Sequence, residues 1–238
     1  MKKLLSLLGV AIIGASSMFA NVEMEFNLYG TPTSTINLKD RDTSDDKFEA
    51  KLKDPFGFET QFEFMFGAPA KFIDIGMGLS WGMDFFNKAE MIYDGNSAGD
   101  STLNLAFDTY MTLGPAVRFH VGDMHSFLVS PGLICNFMLA NGNDMSLLGF
   151  YSGFNLDLGY RIWVVNKTGF HFGFDVGADL NFPFAGFTHS SVDYKVGSST
   201  QTVSSDYDIT GGTDAKIYFG VCFNFGDKAP DKARNKVE

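Results

Sequence analysis

The chain has 238 residues, a formal net charge of −10 and 45% hydrophobic residues, with 26 phenylalanines among them. An acidic balance of this size excludes nucleic acid as a partner, because the phosphate backbone is repelled. No run beyond residue 20 reaches the roughly 18 consecutive apolar residues that a membrane helix needs, and Cys135 and Cys222 are too few for a disulfide framework.

Residues 1–20 read MKKLLSLLGVAIIGASSMFA: lysines first, an apolar run from Leu4 to Gly14, then small residues. This is the pattern of a secretory signal peptide. The folded unit is therefore expected over residues 21–226, and 227–238 form a polar tail. Between them, eight segments alternate apolar and polar side chains with the period of a strand. The first places Val22, Met24, Phe26 and Leu28 opposite Glu23, Glu25, Asn27 and Tyr29. The second places Phe56, Phe58, Phe62, Phe64 and Phe66 opposite Glu59, Gln61 and Glu63. In the third, odd positions from Ile73 to Phe85 are apolar, and Asp74, Gly76, Gly78, Ser80, Gly82 and Asp84 face the other way.

The fourth runs on odd positions from Leu103 to Val121, opposite Arg118 and His120, with Pro115 marking a bulge. The fifth spans Phe127 to Leu139. The sixth uses even positions from Phe150 to Val164 opposite Asp157 and Arg161. The seventh carries Phe170, Phe172, Phe174, Val176, Leu180 and Phe182 opposite His171, Asp175 and Asp179. The eighth is Ala215 to Phe225.

Eight alternating strands joined by alternately short and long connections describe an all-β, antiparallel, up-and-down barrel that spans an outer membrane. The short connections are GAPAK (67–71), GDMHS (122–126) and VNKTG (165–169). A soluble barrel or sandwich would need the oily face inside, yet that face is built of large rings while the other is rich in Gly, Ser, Ala and Asn. Large rings fit outside in lipid, since an eight-stranded interior is narrow. Both termini then lie in the periplasm. Ile36, Leu38, Phe48, Ala50 and Leu52 keep the parity of the first two strands, Val192, Tyr194 and Val196 that of the seventh, and Val203, Tyr207 and Ile209 that of the eighth. Protruding extracellular hairpins are therefore expected on one side, with tips at DRDTSDD and GSSTQ. Connections at 86–101 and 140–147 are expected to leave the other side low.

Strand direction gathers Glu23, Glu25, Glu63, Asp74, Arg118, His120, Arg161 and His171 at the periplasmic end of the lumen. Charges shielded from water need partners, so a salt-bridged plug is expected there. Above it, Gly76, Gly78, Gly82, Gly132, Gly153, Gly173 and Gly177 leave space for water or a narrow path. Asp40, Asp42 and Ser44 resemble the start of a calcium loop, but Asp45 stands where glycine belongs and Lys51 where glutamate belongs. Neither a metal nor a cofactor is expected. His189, Ser190, Ser191 and Asp193 are the one grouping of base and nucleophile, and they read as a polar turn. Parity sends Cys135 to lipid and Cys222 to the lumen, which separates them.

On these features the chain resembles the small eight-stranded outer-membrane proteins, the group of OmpX, OmpW and the OmpA membrane domain. It also resembles the outer-membrane barrels of spirochaetes. Tyr218, Gly220, Phe223 and Phe225 match the pattern that the barrel-assembly machinery reads on a last strand, although here a tail follows Phe225. The resemblance implies a monomer in outer-membrane lipid. Its acidic hairpins would meet extracellular proteins; the rival roles are a narrow channel for small or hydrophobic solutes and a lipid A-modifying enzyme, since some such barrels use His and Ser at the outer rim. The leading expectation is a surface anchor without catalytic residues.

Overall fold

A computed structural model describes residues 21–42, 47–70, 72–122, 124–142, 145–167, 170–196 and 199–225. The expected signal peptide, the polar tail and parts of both hairpin tips lie outside the described residues. The described chain is all strand and turn: β1 (Asn21–Asp40), β2 (Lys47–Lys53), β3 (Phe56–Ala70), β4 (Ile73–Phe85), β5 (Lys88–Tyr93), β6 (Asn96–Val121), β7 (His125–Gly142), β8 (Met145–Lys167), β9 (Phe170–Val196) and β10 (Ser199–Phe225). Every pairing is antiparallel, and β10 closes on β1 from Val22↔Phe225 to Asp40↔Tyr207. β2 and β3 are one stave interrupted at Asp54–Pro55, and β4 and β5 are another interrupted at Phe86–Asn87. Counted this way, the ring has eight staves.

The interruptions have a physical cause. Pro55 cannot donate to a ladder, and Asp54 before it takes a left-handed φ of 49°. Above the break, β2 pairs with β1 and with β5, and β5 pairs with β6, so the hairpin end is also walled by paired strands. The expectation of a low connection over residues 86–101 is corrected here. Residues 88–101 build a hairpin that extends the wall, turning at Asp94 and Gly95, which both have positive φ.

Around the end that holds Asn21 and Phe225, the outward face is a belt of rings and aliphatic chains: Leu28 is 72% exposed, Phe56 63% and Phe154 59%. Neighbouring rings contact one another along the belt, as in Phe58 with Trp81 at 5.7 Å and Phe174 with Phe219 at 5.9 Å. An apolar surface of this extent needs a bilayer to cover it. Cys135 is exposed in the belt and Cys222 is buried in the lumen.

At the hairpin end the faces exchange. Below Gly30 the odd residues of β1 point inward; above Thr33 the even ones do, so Ile36 and Leu38 are buried. The cause is a register shift between Gly30 and Thr33, around Pro32. The same one-residue step occurs at Asp54–Pro55, at Asn87, between Leu103 and Leu105 in β6, at Phe184–Ala185 in β9, and at Thr210 in β10. Adjacent steps are bonded to each other, through Thr31 N to Pro55 O, Phe86 N to Ala106 O and Leu103 N to Asn87 O. At the hairpin end β7 and β8 run through without one. The expectation that Ile36, Leu38, Phe48, Ala50, Leu52, Leu103 and Ile209 continue the outward oily face is therefore corrected: each turns inward after its step. A one-residue slip moves every following side chain to the other face. Beyond the membrane the outside is water, so the same alternating letters are stable only with the oily set inside.

Candidate functional site

The lumen is filled in three tiers. The tier nearest the termini is ionic. Arg118 on β6 makes a bidentate contact with Glu63 on β3, donates to Ser126 Oγ at 3.1 Å and lies 3.2 Å from Glu23. Arg161 on β8 reaches Glu23, Glu25, Glu63 at 3.2 Å and Asp175 at 3.0 Å, and its guanidinium sits 5.1 Å from the Trp163 ring centre. Both arginines are fully buried. Charge-assisted bonds of this kind are the strong ones, and in a dry lumen they fix the surrounding staves to one another. Asn224 adds a bond to Glu23 at 3.1 Å.

Of the residues singled out from sequence, Glu23, Glu25, Glu63, Arg118 and Arg161 thus meet in one cluster. His120 and Asp74 form a separate pair at 2.7 Å. His171 is buried edge-on against Trp163 at 5.9 Å. Sequence reasoning does not select Asp175, although its inward parity beside Arg161, its register partner, is a usable signal.

The middle tier, glycine-lined space on the sequence pattern alone, is filled in the structure. Rings cross from neighbouring staves and occupy it: a Cβ on Gly82 would lie 2.3 Å from the Tyr110 ring, and one on Gly177 would lie 2.4 Å from Tyr218. Each glycine is the register partner of the tyrosine that covers it, the pairing by which a ring compensates a strand glycine. Tyr110 donates to Glu59 at 2.8 Å and Tyr218 to Asp157 at 2.8 Å, where Gln61 also donates at 3.1 Å. What remains between Glu59, Gln61, Ser80, Ser130, Asn155 and Asp157 is a cavity of about 10 Å3, room for one water at most.

Lys216 of β10, which the alternation of the last strand does not mark as a lumen residue of consequence, anchors the upper part of this tier. Its Nζ lies 2.8 Å from Asp84 and 3.6 Å from Asp214, and stands 3.4 Å from the centre of the Tyr110 ring. The third tier is apolar: Ile36, Leu38, Phe86, Leu103, Met138 and Ile209 form a cup above the charged floor. It encloses a cavity of about 30 Å3. Phe48 lies over it, with Tyr93 at 5.2 Å and Tyr207 at 5.6 Å. Against the outer wall at this height, a pocket of about 420 Å3 lies between Asp54, Phe56, Phe85, Lys88, Asn104 and Leu105 and reaches Phe86.

Outside, the extension carries charge. Lys53 bonds Glu90 at 2.6 Å, which holds the Glu90 carboxyl below its usual range and the Lys53 amine above its own. His189 Nδ1 lies 2.7 Å from Asp206, and Ser146 Oγ lies 2.7 Å from Ser191 Oγ. Asp42 N donates to Asp40 at 2.8 Å in a local turn, and no group that could hold a metal occurs among the described residues.

In the last strand, Tyr218 points into the lumen and Gly220 pairs with Asn27, while Phe223 packs at a tilt against Phe170 and Phe172 and Phe225 against Phe170.

No protein-family model and no curated protein matches this chain. Solved structures do. The outer membrane protein OprG from Pseudomonas aeruginosa superposes with a TM-score of 0.57 at 11% identity, covering 88% of this chain and 97% of that one. The fold is that of an outer-membrane β-barrel. A major outer membrane protein from Thermus thermophilus is similar over 86% of this chain and 99% of its own, with 13% identity and a TM-score of 0.47. The attachment invasion locus protein Ail of Yersinia pestis gives 11% identity, 87% and 100% coverage and a TM-score of 0.44.

Proposed function

We propose that this protein is a non-conducting barrel of the bacterial outer membrane, with both termini in the periplasm, that presents a rigid extension for binding extracellular proteins. The observation that carries the reading is the doubly closed lumen: an ionic tier of buried arginines below and an apolar core inside the extension above. A core in the extension makes it a stiff platform. β8 pairs with β9 as far as Val192, and β1 pairs with β10 as far as Tyr207. Beyond them the β9–β10 hairpin stands above its neighbours as a ribbon suited to strand addition. Tyr218, Gly220, Phe223 and Phe225 serve as the signal read by the barrel-assembly machinery.

A second reading is favoured by the cavity inside the cup and the wall pocket at Phe86: capture of a small apolar solute that leaves sideways into the bilayer. One experiment separates the two. Purified barrel in a planar bilayer is expected to give no discrete conductance steps. Replacing residues 193–204 by a two-residue turn is expected to abolish binding to immobilised matrix glycoproteins while the barrel stays folded. Unchanged adhesion in that variant, together with uptake of an alkyl-chain probe that Leu103→Trp blocks, would transfer the function to the cup.

A further inference from the structure

The outer wall carries a notch that the surface-binding reading does not use. Three neighbouring staves step at one height, at Asp54–Pro55, at Asn87 and between Leu103 and Leu105. They stay joined through Phe86 N to Ala106 O at 3.2 Å and Leu103 N to Asn87 O at 2.8 Å. The wall is thus recessed without being opened, and the recess is the pocket of about 420 Å3 outside Phe86. A preformed volume of this size holds a small ligand or a head group.

Its height and its charges fix what it meets. Below it, the residues in register across the three staves are Phe56, Phe85 and Phe107, with the ring centres of Phe56 and Phe85 5.8 Å apart. Above it, they are Lys53, Lys88 and Thr102. Rings give way to charge across the notch, which places it where acyl chains end and head groups begin. Lys88 and Asp54 both line it and are both exposed, and neither makes an ion pair among the described residues. Lys53, by contrast, is taken by Glu90 at 2.6 Å and Asp100 at 3.6 Å. A base and an acid that line one recess without bonding each other match a ligand that carries one charge of each sign. Phe56 and Leu105, 54% exposed, continue the recess down into the belt, so that ligand also has apolar chains.

We propose that the notch binds the zwitterionic head group of a phospholipid, a phosphodiester joined to an ammonium. Lys88 takes the phosphodiester, Asp54 takes the ammonium, and the acyl chains descend over Phe56 and Leu105. The Asn87 amide, exposed on the same rim, donates to a phosphate oxygen. A purely anionic head group would meet the same lysine but also the Asp54 carboxylate, and that like-charge contact selects against it. Asp54 is placed by the turn that recesses the wall: its φ of 49° lies in a region where aspartate and asparagine are enriched among side-chain-bearing residues. The site lies outside Phe86, so it depends neither on what the extension binds nor on whether the cup is filled.

The test places the full barrel in nanodiscs of equimolar phosphatidylethanolamine and phosphatidylglycerol with identical chains, and native mass spectrometry counts the lipid that stays bound on release. The wild type is expected to retain phosphatidylethanolamine over phosphatidylglycerol by roughly two- to fivefold, the span of one exposed ion pair. Asp54→Asn keeps the turn, since asparagine also takes positive φ, and should abolish the preference. Lys88→Gln should lower retention of both lipids. The wild-type ratio is read without any variant, so misfolding of a substituted chain cannot hide the answer. Equal retention of the two lipids by the wild type, or a preference for phosphatidylglycerol, would overturn the proposal. So would a ratio unchanged in Asp54→Asn or retention unchanged in Lys88→Gln.

Discussion

Arg118 and Arg161 show how much of this molecule rests on single side chains. Each is buried among carboxylates from β1 and β3, and each reaches across the lumen to staves far away in sequence. Removing one leaves buried carboxylates without their counter-charge, a change that costs about 3–5 kcal/mol. We expect Arg118→Ala to lower the barrel's resistance to urea in lipid by that amount, and Arg118→Met combined with Glu63→Gln to recover most of it. Recovery is the discriminating result, because a general packing defect would not respond to Glu63. The residues of this tier are legible from sequence because charge is rare in an alternating oily strand and parity says which way it points. Lys216 is not legible in the same way. Its role depends on Asp84 and Tyr110, which come from staves that only the closed ring brings near it.

At the scale of the element, parity is a reliable guide up to the steps and misleading beyond them. Ile36 and Leu38 share the even numbering of Phe26 and Leu28, so nothing in the alternation distinguishes the buried pair from the exposed pair. The steps themselves leave only faint marks: Pro32, Asp54–Pro55, Asn87, and Gly211–Gly212 beside Thr210. Such residues also occur in ordinary turns, and a bulge adds a single residue without changing the period on either side. Gly212 is the most specific of them. Its φ is 154°, and a Cβ there would lie 2.3 Å from Thr35 O. Cysteine scanning along β1, in a Cys135→Ser, Cys222→Ser background, checks the inversion. We expect a water-soluble maleimide on intact cells to label positions 35, 37 and 39 and to spare 36 and 38. Labelling at 36 and 38 instead would mean that β1 keeps one parity throughout and that the apolar cup does not exist.

The whole molecule depends on closing one seam, and Gly220 sits at its tightest point. It pairs with Asn27, and a Cβ there would lie 1.7 Å from Asn27 Oδ1 and 2.6 Å from Phe26 O. The amide of Asn27 could move, but the carbonyl of Phe26 belongs to the ladder that joins the first strand to the last. Overpacking of this kind costs about 1–3 kcal/mol. The same glycine is also part of the expected assembly signal, so two roles meet at one position and must be separated. Folding purified, urea-denatured chain into lipid vesicles without any assembly machinery isolates the seam. There we expect Gly220→Val to be less stable than wild type by that amount, and the added Asn27→Gly to relieve part of the loss, because it removes one of the two contacts. In cells, where closure is catalysed, the double variant should then recover heat-modifiable barrel to the same extent. If Gly220→Val instead proved as stable as wild type in vesicles while failing to reach the membrane of living cells, the seam would not be what requires glycine. Recognition by the assembly machinery would then be the reason the last strand carries a residue without a side chain at this point.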